Sequence, residues 1–117
     1  MKSNTSLLVF LLLSLLACSP PEVSVPVGII PRDSMVMIMT DIHIAEAALQ
    51  LRDLGRNDTL RLEAYGRYRY IFEKYGVTRA RFNESFTWYS NNPHLFHEMY
   101  EQVIDRLNVM QAKGLME

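Results

Sequence analysis

From Met35 to Met110 the apolar side chains recur three and four positions apart, a spacing that commits this stretch to amphipathic helices and excludes alternating strands. A first segment, Pro31 to about Leu54, carries Met35, Ile38, Met39, Ile42, Ala45 and Leu49 on one face. Val36, Met37, Ile44, Ala48 and Leu51 make most of the remaining surface apolar as well. A helix that is apolar nearly all round belongs at the centre of a fold. Pro31 suits a first helical position, and Gly55, Asn57 and Asp58 read as a turn. The second segment, about Thr59 to Tyr75, places Leu60, Ala64, Tyr65, Tyr68, Ile71, Phe72 and Tyr75 within one arc, with Gly76 as its C′ glycine. Thr78 is positioned to cap a third segment, Arg79 to Ser90, with Phe82, Phe86 and Tyr89 as its stripe. Asn92 and Pro93 provide N-cap and N1 of a fourth, which runs to about Ala112 with Phe96, Met99, Tyr100, Val103, Leu107 and Met110 inward. Short connections favour antiparallel neighbours, so the expected fold class is all-α, a small bundle of about four helices.

The N-terminus obeys a different logic. Lys2 precedes Leu7 to Leu16, an apolar run broken only by Ser14 and much shorter than the roughly 20 residues of a spanning helix. It ends in Leu15-Leu16-Ala17-Cys18, which resembles the lipobox of bacterial lipoproteins. That processing requires a thiol, because a diacylglyceryl group is joined to it through a thioether before cleavage. Ordinary secretion fits poorly: cleavage after Ala17 would put bulky Leu15 where a small residue is wanted, and cleavage after Ser19 would leave Pro20 beyond the cut. The expected organisation is a signal peptide over 1–17, a lipidated extended tether over 18–30 (SPPEVSVPVGII after Cys18), and a helical domain over 31–117. Cys18 is the expected lipidation site, and two or more acyl chains on it would anchor the chain stably.

Composition narrows the functional classes. At 117 residues, 49% hydrophobic and 21% charged, the chain is sized and composed for one folded domain. A single cysteine excludes an internal disulfide and a cysteine-rich zinc site. Removing Lys2 with the signal peptide leaves 11 of the 12 basic residues against 13 acidic ones, a formal charge of −2 that gives no global pull toward a polyanion.

Beyond the lipobox, a longer pattern is present: Ile30-Pro31, then Asp41-Ile42-His43-Ile44-Ala45-Glu46-Ala47, then Tyr75-Gly76-Val77-Thr78 with Phe82 and Ser85. Trp88-Tyr89-Ser90 with Asn92-Pro93, and Tyr100 with Val103 and Leu107, complete it. In these residues the chain resembles the small lipoproteins of Bacteroidetes grouped as domain of unknown function 4296. The resemblance implies a helical lipoprotein domain and carries no activity with it. Surface-exposed lipoproteins of that phylum usually have an acidic export signal after the lipidated cysteine. Ser19-Pro20-Pro21-Glu22 departs from that pattern, which favours the outer membrane's periplasmic face over the cell exterior.

His43 and Glu46 form the most provocative polar pair, in a row with Met39, Gln50 and Asp53 on the first helix. A histidine and a carboxylate one turn apart suit metal binding or proton transfer. A catalytic or metal centre needs further convergent groups, however, and Asp41 points about 160° away on the helical wheel. The row His43, Glu46 and Gln50 is therefore read as a structural packing device, with Tyr65 and Tyr68 as candidate partners across the helix interface. His97 and Glu101 read as solvated first-turn groups. Residues 52–81 hold eight basic and four acidic side chains among tyrosines, but Tyr65 and Tyr68 fall on the core arc, so a nucleic-acid stacking surface is not expected; the stretch reads as a solvated face, with contact to anionic lipid headgroups or an acidic partner as the alternative. No serine-nucleophile elbow or phosphate loop is present. The expectation is a membrane-anchored, non-enzymatic interaction or envelope-assembly module with no cofactor, an unidentified protein partner and no nucleic acid. A periplasmic folding accessory is the alternative, and an enzyme or metal site at His43 and Glu46 a distant third.

Overall fold

The computed structural model describes residues 23–50 and 57–115, with side chains in the second helix from Ala64 onward. The signal peptide, Cys18 and the first part of the tether lie outside the described residues, as do Leu51, Leu54 and the expected turn residue Gly55. Four helices make up the fold: α1 over Arg32–Gln50, α2 over Asn57–Lys74, α3 over Arg79–Ser90 and α4 over Pro93–Ala112. The described residues contain no strand. The chain is a small helical bundle.

Two boundaries differ from expectation. Asn57 and Asp58 open α2 instead of forming a turn ahead of it; residues that favour turns also favour helix starts, where free N–H groups and the positive dipole end await an acceptor. Pro31 accepts the amide of Met35 at 2.9 Å and so stands as the cap of α1, one place before the helix.

α1 is central, packing against both α2 and α4, while α3 leans on α4. Met35, Val36, Ile38 and Met39 of α1 are buried together with Ile71 and Phe72 of α2, Tyr89 of α3, and Met99 and Val103 of α4. Tyr65, expected in the core arc, is 60% exposed. It lies at the edge of the α2 stripe whose middle is Tyr68, Ile71, Phe72 and Tyr75, and its ring lies instead beneath the Arg79 guanidinium, 5.0 Å away.

The connections follow the sequence signals closely. Gly76 (φ +63°) ends α2 in a Schellman arrangement, with Val77 N–H donating to the Phe72 carbonyl and Gly76 N–H to that of Glu73. Thr78 Oγ1 then accepts the Arg81 amide at 3.1 Å and caps α3. Asn92 sits at the N-cap position of α4 but does not cap it: its side-chain amide donates back to the Trp88 carbonyl at 2.7 Å, tying α4 to the end of α3.

The tether requires the largest correction. Its end is not an extended linker, because Ile29 and Ile30 are buried in the core, 9% and 1% exposed. Pro26 to Ile29 form a tight turn closed by an Ile29 N–H to Pro26 carbonyl bond of 3.2 Å, with Gly28 at φ +97°, a value only glycine adopts comfortably. The Ile30 main chain is held on both sides by α3: its N–H donates to Ser85 Oγ and its carbonyl accepts from the Tyr89 hydroxyl, each at 2.9 Å. A buried main chain outside a helix has to find such partners. Fully buried Ser85 and Tyr89 supply both.

Candidate functional site

An open cleft of about 540 Å³ lies where all four helices meet. Its floor is apolar and mostly aromatic, built from Met39 and Ile42 of α1, Phe72 of α2, and Phe82 and Phe86 of α3. The rings run in a connected series. Phe72 to Phe82 is 5.1 Å between centroids, Phe82 to Phe86 6.1 Å, Phe86 to Phe96 5.6 Å, Phe96 to Tyr100 4.8 Å, and Tyr100 to His43 6.0 Å. Offset and edge-on contacts of this kind are favourable, and they hold the floor together without covering it.

Polar groups stand around this floor. His43 and Glu46 enter from α1, Tyr68 from α2, Arg79, Asn83 and Thr87 from α3, and Tyr100 from α4. Glu46 is the hub. Its Oε1 accepts the Tyr68 hydroxyl at 2.7 Å, a strong charge-assisted bond between α1 and α2, while its Oε2 lies 3.6 Å from His43 Nδ1, too far for a good hydrogen bond. Tyr68 thus makes the reach across the interface that the sequence suggested, and Tyr65 does not. Gln50, the third member of the polar row, is exposed and does not line the cleft. Asp41 points elsewhere, as the helical wheel indicates: its Oδ2 accepts both Lys74 Nζ at 2.7 Å and the Tyr75 hydroxyl at 2.8 Å. The row therefore divides, with His43 and Glu46 at the cleft and Gln50 in solvent.

The other candidates are surface groups. His97 Nε2 lies 3.3 Å from Glu101, and His94 Nδ1 lies 3.2 Å from Glu98, which also binds Arg32 at 2.7 Å. Among the described residues no three histidine, cysteine or acidic side chains gather closely enough to hold a metal. The basic middle of the chain is dispersed over several contacts, with Arg69 on Glu73, Lys74 on Asp41, Arg81 on the Gly28 carbonyl and Arg79 on Tyr65. No helix of the described residues is long and apolar enough to cross a membrane.

Sequence reasoning named His43 and Glu46 of α1 and the Phe82–Phe86 pair of α3, and missed the polar α3 groups Arg79, Asn83 and Thr87. Asn83 and Thr87 sit four apart beside the Phe82–Phe86 pair, a polar edge along an aromatic stripe. That spacing marks the border of the stripe but not which border is left open.

Tyr68 carries the site's clearest electrostatic signature. Burial, then its hydrogen bond to Glu46, push its hydroxyl up to about 12. Tyr100 is raised by burial and by the Glu46 charge, and Tyr75 and Tyr89 are raised by burial first. A raised tyrosine is held neutral in the folded state. Its contribution is therefore complete below pH ~10, the unfolded value, and is lost as pH rises through the folded value. Tyr68 alone should account for about 1–2 kcal/mol after screening by water is allowed for. Urea melts at neutral and strongly alkaline pH should show stability falling above pH ~10, with a shallower fall for Tyr68→Phe. Equal falls for the two proteins would show that the Tyr68–Glu46 bond is not made in solution.

Fold and cleft together define a compact helical module whose core lies open on one side. The chain belongs to the family described as Domain of unknown function (DUF4296), whose family model matches residues 26–113. That match begins at the Pro26 turn, so it takes in the segment that docks Ile29 and Ile30 on α3. No curated protein and no solved structure matches the chain.

Proposed function

We propose that this chain is a lipid-anchored, non-enzymatic binding module, held by Cys18 at the periplasmic face of the outer membrane, that takes a protein partner through the four-helix cleft. The observation that carries the binding role is the aromatic floor of that cleft. A self-sufficient bundle would close over Phe82, Phe86 and Tyr100, yet here they border an open volume of about 540 Å³. An apolar or aromatic side chain of a partner segment fits such a floor. Glu46 and Arg79 at the rim suit a segment that brings a donor for the first and an acceptor for the second. The lipobox-like Leu15-Leu16-Ala17-Cys18 supports the anchor.

Two measurements test this. Cys18→Ala should abolish incorporation of a fatty-acid analogue; equal labelling of variant and wild type would remove the anchor from the reading. A photoreactive residue placed at Asn83 or Thr87, on the cleft rim, should crosslink in cells to one defined protein, while one at exposed Glu84 should not. Crosslinks to many unfolded outer-membrane proteins would favour the folding-accessory alternative. Equal yields from the rim and from Glu84 would remove the cleft as the binding site.

A further inference from the structure

We infer that the Pro26–Ile29 turn is a membrane-contacting tip, seated by Val27 and Arg81 on an anionic phospholipid surface; this rests on the lipid-anchored reading of Cys18. Val27 is fully exposed at the apex of the turn, and Val23 and Val25 before it are 44% and 37% exposed. Three uncovered valines in five residues are a poor arrangement for water. The apex is not free to fold its valine inward, because it is fixed from both sides. Ile29 and Ile30 anchor it in the core, and Arg81 Nε donates to the Gly28 carbonyl at 3.0 Å. The structure thus displays an apolar point at a defined place with a guanidinium directly against it.

This combination of apolar tip and adjoining arginine is the chemistry of an interfacial membrane contact. The apolar group enters the acyl boundary while the cation meets phosphate. Chain length selects the membrane over other occupants. Val27 lies nine positions after Cys18, so the tip stays within about 30 Å of the lipidated residue even at full extension. An anchored tip cannot leave that shell, and the high effective concentration there adds to the affinity the tip has on its own, so that modest binding is enough to orient the domain. Each arginine within a Debye length of an anionic surface strengthens binding about fivefold. Seated this way, the module would be held in one orientation to its membrane.

The test uses the mature chain from residue 18 with Cys18→Ser, so that acylation plays no part and failure of the lipoprotein reading is a separate result. Flotation with vesicles of phosphatidylethanolamine and phosphatidylglycerol should recover the protein, and vesicles of phosphatidylcholine alone should recover much less. Val27→Asp should abolish flotation, Arg81→Gln should weaken it about fivefold, and raised salt should weaken it further. Val27 is fully exposed, so Val27→Asp and the milder Val27→Ser should keep wild-type helical content by circular dichroism. Absence of flotation with either vesicle, or flotation unchanged by Val27→Asp, would overturn the proposal. So would a crosslinker at Val27 that captures a protein in cells while the purified chain ignores vesicles.

Discussion

A fragment that begins at Pro31 should be less stable than one that begins at Pro26 by about 1–3 kcal/mol. Composition places the start of the domain at Pro31, because everything before it reads as proline-interrupted tether. The structure places two core residues ahead of that boundary. Ile30 is 1% exposed and Ile29 9%, and each fully buried isoleucine is worth about 1.5–3 kcal/mol relative to water. Removing them also strands the Ser85 and Tyr89 hydroxyls, which lose their only described partners inside the core. Ordering the short segment offsets part of this gain, at about 1–2 kcal/mol per residue of backbone, which keeps the net figure well below the sum. A domain of this size has about 5–15 kcal/mol in total, so the shorter fragment should melt at clearly lower urea. Matching urea midpoints for the two fragments would mean that Ile29 and Ile30 are ornaments on a bundle complete without them.

The difference between what the sequence displays and what it hides follows from which forces are local. Helices α3 and α4, the Thr78 cap of α3, the Gly76 stop and Pro93 at N1 of α4 are local, and the sequence shows all of them. The centrality of α1 was legible too, since a helix apolar on every side has only one place to go. Glu46 with Tyr68 was legible in part: a carboxylate beside an apolar face needs a donor, and a tyrosine stripe on the neighbouring helix offers one. Residues 26–30 were not legible, because prolines, glycine and β-branched residues look the same in a free tether and in a pinned turn. The missing signal was on α3, where fully buried Ser85 stands in the stripe between Phe82 and Tyr89. A small hydroxyl in an aromatic stripe requires a buried partner, and the nearest chain without a helix of its own was the supposed tether. The cleft was equally hidden. Periodicity says which side of each helix is apolar, but whether four such sides close completely depends on how the helices cross.

Tyr89→Ala should destabilise the domain by about 3–5 kcal/mol, the largest loss expected from a single side chain. Tyr89 is fully buried, and its ring packs edge-on against Trp88 at 5.0 Å between centroids. Truncation opens a cavity between α3 and the Ile30 segment, and it also removes the donor that satisfies the Ile30 carbonyl. The two contributions can be separated. Tyr89→Phe keeps the ring and deletes only the hydroxyl, leaving a buried carbonyl unpaired at about 1–3 kcal/mol. Ser85→Ala does the same to the Ile30 amide from the other side and should fall in the same range. If Ile30 is clamped as a unit, Ile30→Ala combined with Tyr89→Ala should cost less than the two single losses added together, because each already releases what the other holds. Trp88 is the only tryptophan in the chain and lies beside the clamp, so its fluorescence in urea follows all of these variants directly. Additive losses for Ile30→Ala and Tyr89→Ala would separate the two residues energetically and leave Tyr89 a ring of the core with no hold on the N-terminal segment.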